Sequence, residues 1–471
     1  MRVVLAGGGS AGHIEPALAL ADALREADSS IQVTCLGTQR GLETRLVPLR
    51  GYDLELIPAV PLPRSVTPAL LTVPGRLAGA VHATGKILDR LEADVLVGFG
   101  GYVATPAYLS AKRHDVPIVV HEANPSPGIA NRLGSHLTSH VFTGHPDTKL
   151  RNARYLGLPI RRQIADLDRF AVGDRARAQF GLRPDLPVLL VFGGSQGARS
   201  LNQAIVGAVP AIRSAGVQIL HVTGPKNAAE AASADGLLSP TAAGTSAVPY
   251  VAVPYVDRMD LAYAAADFAL CRAGAMTCAE LTAVGLPAAY VPLPIGNGEQ
   301  RLNALPIVQR GGGLLVEDAE LTADWIKNTL LPVLTNIDQV AGMSEAAAAM
   351  GRRDADRWLA KAVIEIVAAE KASRVAGGAS EAQAPAPQPP AAGSRQAQPP
   401  AQPPAAQPGS LFTPHSARQD SARQDSARPD SSRQDSARKT GFRPGGQPPA
   451  GRQQPAGGQP TSGGGRHRQA R

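Results

Sequence analysis

Two apolar strands that each run directly into a glycine-rich turn place the strongest constraint on how this chain folds. The first strand, Arg2–Ala6, leads into Gly7-Gly-Gly-Ser-Ala-Gly-His13, and a later strand, Val188–Phe192, leads into Gly193-Gly-Ser-Gln-Gly197. Strands of continuous Val, Ile and Leu separated by helical stretches are typical of parallel sheets with helices on both faces. The repeated strand, turn and helix therefore predicts two similar α/β domains that face each other across a cleft, with a boundary near residue 160.

The other segments continue the same alternation. The further predicted strands are Gln32–Leu36, Asp94–Phe99, Pro117–His121, Gln218–Val222, Phe268–Cys271 and Ala288–Pro292, and the predicted helices include Val103–Arg113, Trp325–Leu334 and Arg352–Val367. Parallel sheets of this kind bind ligands in the loops that follow their strands. Three such loops in the first domain carry His13, Gly100–Tyr102 and Asn124, which makes these residues candidates for a functional site.

The composition changes after about Lys371, where the chain becomes mainly Ala, Pro, Gln, Gly, Ser and Arg and repeats the unit Ser-Ala-Arg-Gln-Asp over residues 416–438. Residues 372–471 contain 13 Lys and Arg against 5 Asp and Glu, which accounts for the whole net charge of +8 and leaves 34 of each sign in residues 1–371. We expect a disordered basic tail. It either attracts anionic lipid or cell-wall and division proteins, or only solubilises the chain.

Cysteine usage and hydropathy indicate where the protein works. Cys35, Cys271 and Cys278 form an odd set without CxxC spacing, which favours buried thiols in a reducing cytoplasm. We find no signal peptide before the first strand and no run of the roughly 20 apolar residues that cross a membrane. The stretch Ser65–Leu91 mixes apolar and basic residues. A surface helix is favoured for it, and a helix resting in a lipid interface is the alternative.

A third glycine turn, Cys271-Arg-Ala-Gly-Ala-Met-Thr-Cys-Ala-Glu280, has the residues of a phosphate-binding site. An apolar strand ends, Gly274 turns the chain and a helix begins. The unpaired N–H groups and the positive dipole end of that helix favour a diphosphate at Gly274–Thr277. Glu280, one turn into the helix, is placed to accept hydrogen bonds from ribose hydroxyls. The run predicts a nucleoside diphosphate site, against the alternative of an ordinary strand-turn-helix corner.

Two other ligand patterns occur in the sequence. The segment Gly7–Gly12 fits the GxGxxG dinucleotide fingerprint, but the second strand ends without the acidic residue that binds the ribose. This weakens an NAD site and leaves an NADP-dependent oxidoreductase, with Arg40 on the 2′-phosphate, as a minor alternative. Asp166-Leu-Asp168 and Asp354-Ala-Asp356 have the DxD form that can hold a divalent cation. We interpret both as solvated surface and expect no metal and no cofactor.

Five segments taken together carry a family resemblance. They are Gly-Gly-Ser-Ala-Gly-His-Ile-Glu-Pro-Ala-Leu-Ala (8–19), Gly-Phe-Gly-Gly-Tyr-Val (98–103), His-Glu-Ala-Asn (121–124), Gly-Gly-Ser-Gln-Gly-Ala-Arg (193–199) and Cys-Arg-Ala-Gly-Ala-Met-Thr-Cys-Ala-Glu (271–280). In this order and spacing, residues 1 to about 368 resemble the MurG family of bacterial N-acetylglucosaminyltransferases, which is glycosyltransferase family 28. The resemblance does not extend to the tail.

The resemblance implies a GT-B fold of two Rossmann-like doubly wound domains. Residues 1–160 would form the acceptor and membrane-side domain, 161–345 the UDP-GlcNAc domain, 346–370 a helix that packs back towards the first domain, and 371–471 the tail. The implied reaction is inverting transfer of GlcNAc from UDP-GlcNAc to the C4 hydroxyl of MurNAc in undecaprenyl-linked lipid I. It gives lipid II for peptidoglycan synthesis at the cytoplasmic face of an anionic cell membrane. No nucleic-acid partner is expected.

The resemblance also implies site residues by position. The donor contacts would be Ser10, Ala11, Gly12, Asn124, Arg161, Ser195, Ala275, Met276, Thr277, Cys278, Ala279, Glu280 and Gln300, and the acceptor-side residues would be Gly100, Gly101 and Tyr102. The chain departs from the family at Leu158 and Glu299, which leaves those two contacts open. A lipid glucosyltransferase or a UDP-GlcNAc 2-epimerase of the same fold is the alternative function.

His13 is the expected catalytic base. Its ordinary pKa lies near neutrality and it sits at a loop mouth that faces the cleft. The alternative is a histidine that only braces the first helix. Arg272 and Ser195 are expected to help the N–H groups of the 274–277 turn stabilise the departing UDP.

Overall fold

The computed structural model describes residues 1–39, 41–60, 72–227, 248–295 and 297–382, with side chains through residue 376. These residues lie within one compact unit and form two parallel sheets. The first sheet with its helices is called the first lobe, and the second sheet with its helices is called the second lobe. The predicted fold class of two Rossmann-like sheets is confirmed. Residue Arg40 of the NADP alternative lies outside the described residues.

The first sheet contains seven strands. They are β1 (Arg2–Gly7), β2 (Gln32–Gly37), β3 (Asp53–Leu56), β4 (Val95–Gly100), β5 (Ile118–Glu122), β6 (Val141–Thr143) and β7 (Ala153–Tyr155). Their order in the sheet is β3-β2-β1-β4-β5-β6-β7, and every pairing is parallel. The order reverses between β1 and β4, and doubly wound sheets bind ligands at the carboxyl ends of the strands beside such a reversal.

The second sheet contains six strands. They are β8 (Val188–Phe192), β9 (Gln218–Val222), β10 (Tyr250–Val253), β11 (Phe268–Arg272), β12 (Ala288–Val291) and β13 (Gly313–Leu315). Their order is β10-β9-β8-β11-β12-β13. The reversal here falls between β8 and β11, so the glycine turn after β8 and the turn at Gly274 open into the same crevice.

Helices cover both faces of each sheet. The first lobe contains α1 (Ala11–Ala27), α2 (Glu43–Leu49), α3 (Val73–Leu91), α4 (Ala104–Arg113) and α5 (Ile129–Leu137). The next two helices, α6 (Arg162–Ala165) and α7 (Arg169–Gln179), pack on the second sheet, since Ile164 and Ala176 lie in the same buried cluster as Leu190 of β8. The second lobe contains α8 (Arg199–Ser214), α9 (Met259–Ala265), α10 (Ala275–Val284), α11 (Glu299–Gln309), α12 (Ala323–Trp325), α13 (Leu331–Leu334) and α14 (Ile337–Ala348). The last described helix is α15 (Ala355–Ala382). A short π-helical turn, Ile326–Leu330, joins α12 to α13.

The apolar strands have side chains buried on both faces because successive strand residues point in opposite directions. In β1, Leu5 belongs to the buried cluster that contains Leu24 of α1, whereas Val4 belongs to the cluster that contains Tyr108 of α4. All four residues are at most 1% exposed. A strand that is apolar at every position is therefore what a sheet covered on two sides requires.

Five short strands were absent from the sequence-based prediction. They are β3, β6, β7, β10 and β13, each of three or four residues. Four of them form the outer edges of the two sheets. An edge strand pairs on one side only and needs no long apolar run, so its sequence carries little signal.

The C-terminal helix α15 returns to the first lobe. Leu359, Val363 and Val367 are buried in the same cluster as Leu24 of α1. The helix predicted at Arg352–Val367 begins instead at Ala355 and continues to Ala382. Residues 371–382, predicted to belong to the tail, are therefore helical, and the residues from 383 onward lie outside the described residues. So does the start of the predicted helix Ser65–Leu91, whose described part is α3.

The prediction that both DxD segments are solvated surface is wrong for Asp356. Its side chain is fully buried, its Oδ1 lies 3.3 Å from Nη1 of Arg162, and burial raises its pKa. Asp166 is exposed and pairs with the same arginine. Asp168 caps α7 by accepting hydrogen bonds of 3.1 Å from two backbone N–H groups. Asp354 Oδ1 lies 3.6 Å from Arg162 Nη1, so all four of these carboxylates have defined structural partners.

Two further expectations concern thiols and membrane spans. Cys35, Cys271 and Cys278 are free and buried, as predicted. Among the helices that the structure describes, none is long and apolar enough to cross a membrane.

The docking of α15 predicts a stability effect. Replacing Leu359, which is 0% exposed, by alanine leaves a cavity in the first-lobe core and is expected to lower the free energy of unfolding by about 2–5 kcal/mol. Urea denaturation measures this difference. The control is Lys361→Ala on the same helix, where the side chain is 64% exposed and a change within about 0.5 kcal/mol is expected. Equal effects of the two substitutions would contradict this packing.

Candidate active site

The glycine turn after β1 holds His13 against the first lobe. Ser10 precedes α1 in an extended conformation, and Ser10, Ala11 and Gly12 form the entry to that helix. The Ser10 Oγ lies 3.1 Å from His13 Nδ1. A Cβ added to Gly7 would lie 2.6 Å from the His13 carbonyl oxygen, so only glycine fits there. The backbone thus fixes where the imidazole stands.

The imidazole of His13 is surrounded by groups that act on its pKa in opposite directions. Burial is the largest influence and lowers the pKa below the ordinary value of 6.5. The carboxylates of Glu122 and Glu299 and a hydrogen bond to the backbone of Gly8 raise it, with a smaller total effect. His13 is therefore held mainly as neutral imidazole near pH 7, the form that accepts a proton.

A cavity of about 350 Å³ lies in front of His13. We call it the acceptor pocket, and its lining residues are His13, Val60, Val73, Leu77, Gly100, Gly101, Tyr102, Thr105, Glu122, Asn124, Ser126, Gly128, Ile129, Ala130, Asn297 and Glu299. Gly100, Gly101 and Tyr102, predicted for the acceptor side, therefore lie together with His13. Asn124, predicted as a donor contact, lines the same pocket. Asn297 and Glu299 come from the second lobe, so both lobes build it.

Glu122 is a buried carboxylate whose role the sequence analysis missed. Its oxygens accept hydrogen bonds from the backbone N–H groups of Asn124, at 2.9 Å, and Gly128, at 3.1 Å, and from Asn131 Nδ2, at 2.9 Å. These bonds fix the loop between β5 and α5, which carries Asn124 and Ser126 into the pocket. The segment His-Glu-Ala-Asn is one of the five family motifs, but its sequence does not indicate that Glu122 accepts hydrogen bonds from the loop that follows it.

Glu43, the first residue of α2, lies beside the glycine turn that follows β1. Its side chain is 0% exposed. It accepts hydrogen bonds from the N–H of Gly9, at 3.0 Å, and from the N–H and Oγ1 of Thr38, at 2.8 and 3.0 Å. A Cβ on Gly37 or Gly41 would lie within 2.4 Å of it. The Glu43 carboxylate thus fills the space between the glycine turn after β1 and the end of β2.

The second lobe presents an uncapped helix start. Gly274 precedes α10 in an extended conformation, and no described side chain caps this end. The first N–H groups of α10 have no partner within the helix. Ser195 is exposed in the turn between β8 and α8, where Gly194 and Gly197 adopt positive φ angles of 87° and 75°. The crevice between β8 and β11 is therefore lined by donors suited to a diphosphate.

Glu280 is buried beside this helix start and already has two partners. Arg161 Nη2 donates to its Oε1 at 3.0 Å, and the Tyr263 hydroxyl donates to its Oε2 at 2.8 Å. Burial is the largest influence and raises the pKa of Glu280, while Arg161 and Tyr263 oppose it. On its other side, Arg161 Nε lies 4.0 Å from Glu15 Oε2 of α1. Arg161 therefore connects the helix of His13 with the helix of Gly274.

Two family models match the chain at the positions of the two lobes. The glycosyltransferase family 28 N-terminal domain matches residues 3–143, and the glycosyltransferase family 28 C-terminal domain matches residues 188–358. The chain belongs to glycosyltransferase family 28.

Individual relatives agree with this assignment. The UDP-N-acetylglucosamine--N-acetylmuramyl-(pentapeptide) pyrophosphoryl-undecaprenol N-acetylglucosamine transferase of Thermobifida fusca (strain YX) is 65% identical over 371 residues, 79% of this chain and 96% of that protein. A crystal structure of Acinetobacter baumannii MurG is 25% identical, with a TM-score of 0.62, over 77% of this chain and 99% of that one. A UDP-GlcNAc 2-epimerase from Neisseria meningitidis, 13% identical with a TM-score of 0.56 over 78% of this chain and all of that one, shares the fold.

The run Ala275–Glu280 of this family 28 glycosyltransferase is divided between two sides of α10. Ala275, Cys278 and Ala279 line a separate cavity of about 950 Å³ between the lobes. Glu280 lies on the opposite side of the helix, because residues two positions apart are rotated by about 200°. Met276 and Thr277 lie on the same side as Glu280, because residues three or four positions apart share one face of a helix. The structure thus brings only part of the predicted donor run towards Arg161.

Arg272, expected beside the departing UDP, is held in an internal network. Its Nη1 lies 2.6 Å from Asp318 Oδ1 and donates to the carbonyls of Val291 and Pro292 at 3.3 and 3.2 Å, and its Nη2 donates to Ser200 Oγ at 2.9 Å. The guanidinium therefore joins the ends of β11 and β12 to the start of α8. Gln300 has a similar bracing contact, since its Oε1 accepts a bond of 3.0 Å from the Leu293 N–H.

The hydrogen bonds of Glu43 predict that its substitution lowers kcat through the turn that carries His13. Glu43→Gln turns one acceptor oxygen into an NH₂ donor that faces a backbone or hydroxyl donor, which loosens the Gly7–Ser10 turn and hence His13. We expect kcat to fall about 10- to 100-fold, in line with the cost of small misplacements of catalytic groups. The dissociation constant of UDP-GlcNAc, measured by calorimetry, should remain unchanged because the second lobe is untouched. The control is Glu55→Gln, which should keep the wild-type kcat. If Glu43→Gln weakens UDP-GlcNAc binding as much as it lowers kcat, the effect is not local to the His13 turn.

Proposed function

We propose that this chain transfers GlcNAc from UDP-GlcNAc to the MurNAc unit of lipid I and so produces lipid II for peptidoglycan synthesis. One observation carries the proposal. A neutral imidazole lines a pocket built by both lobes, and an uncapped helix start lies across the same cleft. The family 28 match and the relative from Thermobifida fusca, whose name specifies this donor class and this acceptor, support it.

In this proposal the second lobe binds the donor. The diphosphate lies against the first N–H groups of α10 and the Ser195 turn, where the helix dipole and the amides offset its charge. Glu280 accepts the ribose hydroxyls with the hydrogen-bond capacity that Arg161 and Tyr263 leave, because each carboxylate oxygen accepts about two bonds. Arg272 holds the ends of β11 and β12 in place and does not contact the leaving group, because Asp318 already neutralises its guanidinium charge.

The transfer is a single displacement with inversion. Ser10 Oγ holds Nδ1 of His13, so Nε2 is the nitrogen available to the acceptor. The C4 hydroxyl of MurNAc gives its proton to Nε2 as its oxygen bonds to C1 of GlcNAc, and the bond from C1 to the UDP oxygen breaks. The electron pair of that bond leaves with UDP, whose added charge meets the α10 amides. Glu122 and Glu299 favour the imidazolium that forms.

The acceptor places the enzyme at a membrane. We propose peripheral attachment to the cytoplasmic face, with the lipid entering where Val73 and Leu77 of α3 line the acceptor pocket. Anionic headgroups suit the basic residues of α3, Arg76, Lys86 and Arg90. The basic residues of 383–471 provide a second attraction to such a surface or to cell-wall and division proteins.

A nicotinamide-dependent oxidoreductase is disfavoured by the position of Glu43. Its carboxylate accepts the Gly9 N–H, a donor of the turn where such an enzyme binds the cofactor pyrophosphate, and a Cβ on Gly8 would lie 3.1 Å from Glu43 Oε1. Among enzymes that share this fold, the epimerase needs no second substrate. Incubation with UDP-GlcNAc alone and with lipid I distinguishes the two reactions by product.

The substitution His13→Ala tests the proposed reaction. Removing the base is expected to lower kcat about 10²- to 10⁴-fold, measured as GlcNAc transfer to a soluble lipid I analogue, while the affinity for UDP-GlcNAc is kept. His114→Ala, a surface histidine with 32% side-chain exposure, is the control and should keep full activity. Loss of donor affinity in a folded His13→Ala protein would assign the residue to donor binding instead.

The pH dependence follows from the same group. The pKa of His13 is lowered from 6.5, and the base works only when unprotonated, so kcat/KM falls as pH falls through a midpoint below 6.5. Glu122→Gln removes a charge that raises this pKa and is expected to move the midpoint to still lower pH. A pH series of initial rates measures both. An acidic limb centred above pH 6.5, or one that Glu122→Gln moves upward, would contradict this reading of the site.

A further inference from the structure

A second groove lies next to the acceptor pocket, on the other side of the loop that follows β5. Its volume is about 730 Å³, and its lining residues are Pro125, Ser126, Pro127, Arg132, Ser135, His136, His145, Asp147, Lys149, Leu150, Arg151, Leu302, Leu305, Pro306 and Gln309. We call it the interlobe groove. Ser126 lines both spaces. The groove therefore begins at the edge of the acceptor pocket and continues between α5 and α11.

The groove combines cations with an apolar side. The lining residues include three basic side chains, Arg132, Lys149 and Arg151, and one carboxylate, Asp147. His136 and His145 add donors, and the Asp147 N–H is bonded to His145 Nδ1 at 3.2 Å. Burial lowers the pKa of His145. The opposite side, from α11, is formed by Leu302, Leu305 and Pro306. An extended ligand with carboxylates and apolar side chains matches such a surface.

The acceptor of the proposed reaction contains such a group. In a muramyl sugar the peptide is attached through the lactyl ether on O3, next to the reacting O4, whereas the pyrophosphate and its lipid are attached at C1 across the ring. When O4 reaches His13, the peptide therefore leaves the pocket close to His13 and away from the lipid. The lipid side of the pocket is the apolar one, with Val60, Val73 and Leu77. The interlobe groove is an exit on another side, which starts in the pocket wall at Ser126.

We propose that the interlobe groove binds the peptide stem of the acceptor, a short peptide with at least a C-terminal carboxylate. This assignment rests on the proposed function, because it takes the acceptor to be a muramyl peptide. The cations of the first lobe pair with the carboxylates of the stem, and the α11 side chains contact its apolar residues. Since α11 belongs to the second lobe, a bound stem links the lobes on the acceptor side of the cleft. The volume lies in the range of about 300–1,000 Å³ of small-ligand sites.

Comparing acceptors with and without the stem tests the assignment. The probes are two soluble short-chain lipid I analogues, one with a pentapeptide and one with the lactyl carboxyl converted to a simple amide. In the variant Arg132→Ala/Lys149→Ala we expect KM for the pentapeptide acceptor to rise about 3- to 10-fold, because two partly solvated charge contacts are lost. KM for the amide acceptor and KM for UDP-GlcNAc should stay unchanged. The charge-matched control is Lys112→Ala/Arg113→Ala, on exposed residues of α4, and no KM should change in it.

A second variant separates charge from folding. Arg132 Nε donates to the Pro127 carbonyl at 3.1 Å, so its loss can disturb the loop. Lys149→Glu alone, on an exposed residue, should raise KM for the pentapeptide acceptor and leave KM for the amide acceptor unchanged. Equal rises for both acceptors would overturn the assignment in favour of a pyrophosphate contact. Unchanged KM values with weaker binding to vesicles of anionic phospholipid would overturn it in favour of a membrane contact. A wild-type enzyme that transfers GlcNAc to neither acceptor would refute the proposed function itself.

Discussion

The position of Arg161 between two carboxylates is the contact on which the geometry of the site depends. It lies in the segment that joins the lobes, with 20% of its side chain exposed. Its hydrogen bond to Glu280 is 3.0 Å long, whereas its Nε and Glu15 Oε2 are 4.0 Å apart and form no hydrogen bond. The contact with Glu280 is an ion pair with hydrogen-bond geometry, whereas the contact with Glu15 is a charge attraction without a hydrogen bond. Arg161 is thus fixed to α10 by a hydrogen bond and is attracted, less rigidly, to α1, the helix of His13.

The two lobes use the same strand, turn and helix for different purposes. In the first lobe the Glu43 side chain occupies the space beside the glycine turn. It accepts a hydrogen bond from the Gly9 N–H, and a Cβ on Gly37 or Gly41 would collide with it. In the second lobe the helix after Gly274 begins without a cap, and its amides face the crevice. One buried carboxylate therefore makes the difference between a turn whose amide is already paired and a helix start whose amides have no side-chain cap. The resemblance between the lobes is one of architecture, and their chemistry is set by which donors are already paired.

The sequence predicts most of the fold because apolar strands and glycine turns are local signals. The strands Val188–Phe192 and Gln218–Val222 have the predicted limits, while edge strands of three or four residues leave no pattern. Within the site, His13 and the Gly100–Tyr102 turn were found because they follow strands. Glu43 was missed because its partner Gly9 is 34 residues away. Asp356 was placed at the surface because its partner Arg162, 194 residues away, is likewise visible only in three dimensions. Long-range pairing of charges is the information that local sequence lacks.

The contacts between the lobes differ in strength along the cleft. On the side of the connecting segments, the buried Asp356 pairs with Arg162, and Arg161 joins Glu15 to Glu280. At the acceptor side, Asn297 Nδ2 lies 3.4 Å from Ser126 Oγ, and Asn303 Nδ2 lies 3.4 Å from Asn124 Oδ1. These two are neutral hydrogen bonds near the limit of length, and they are weaker than charged pairs. Separation of the lobes at the acceptor side therefore disrupts less than separation at the connecting segments. In the proposed reaction the lipid-linked acceptor enters at that side, so the weaker of these described contacts lie where the cleft would admit its bulkiest substrate.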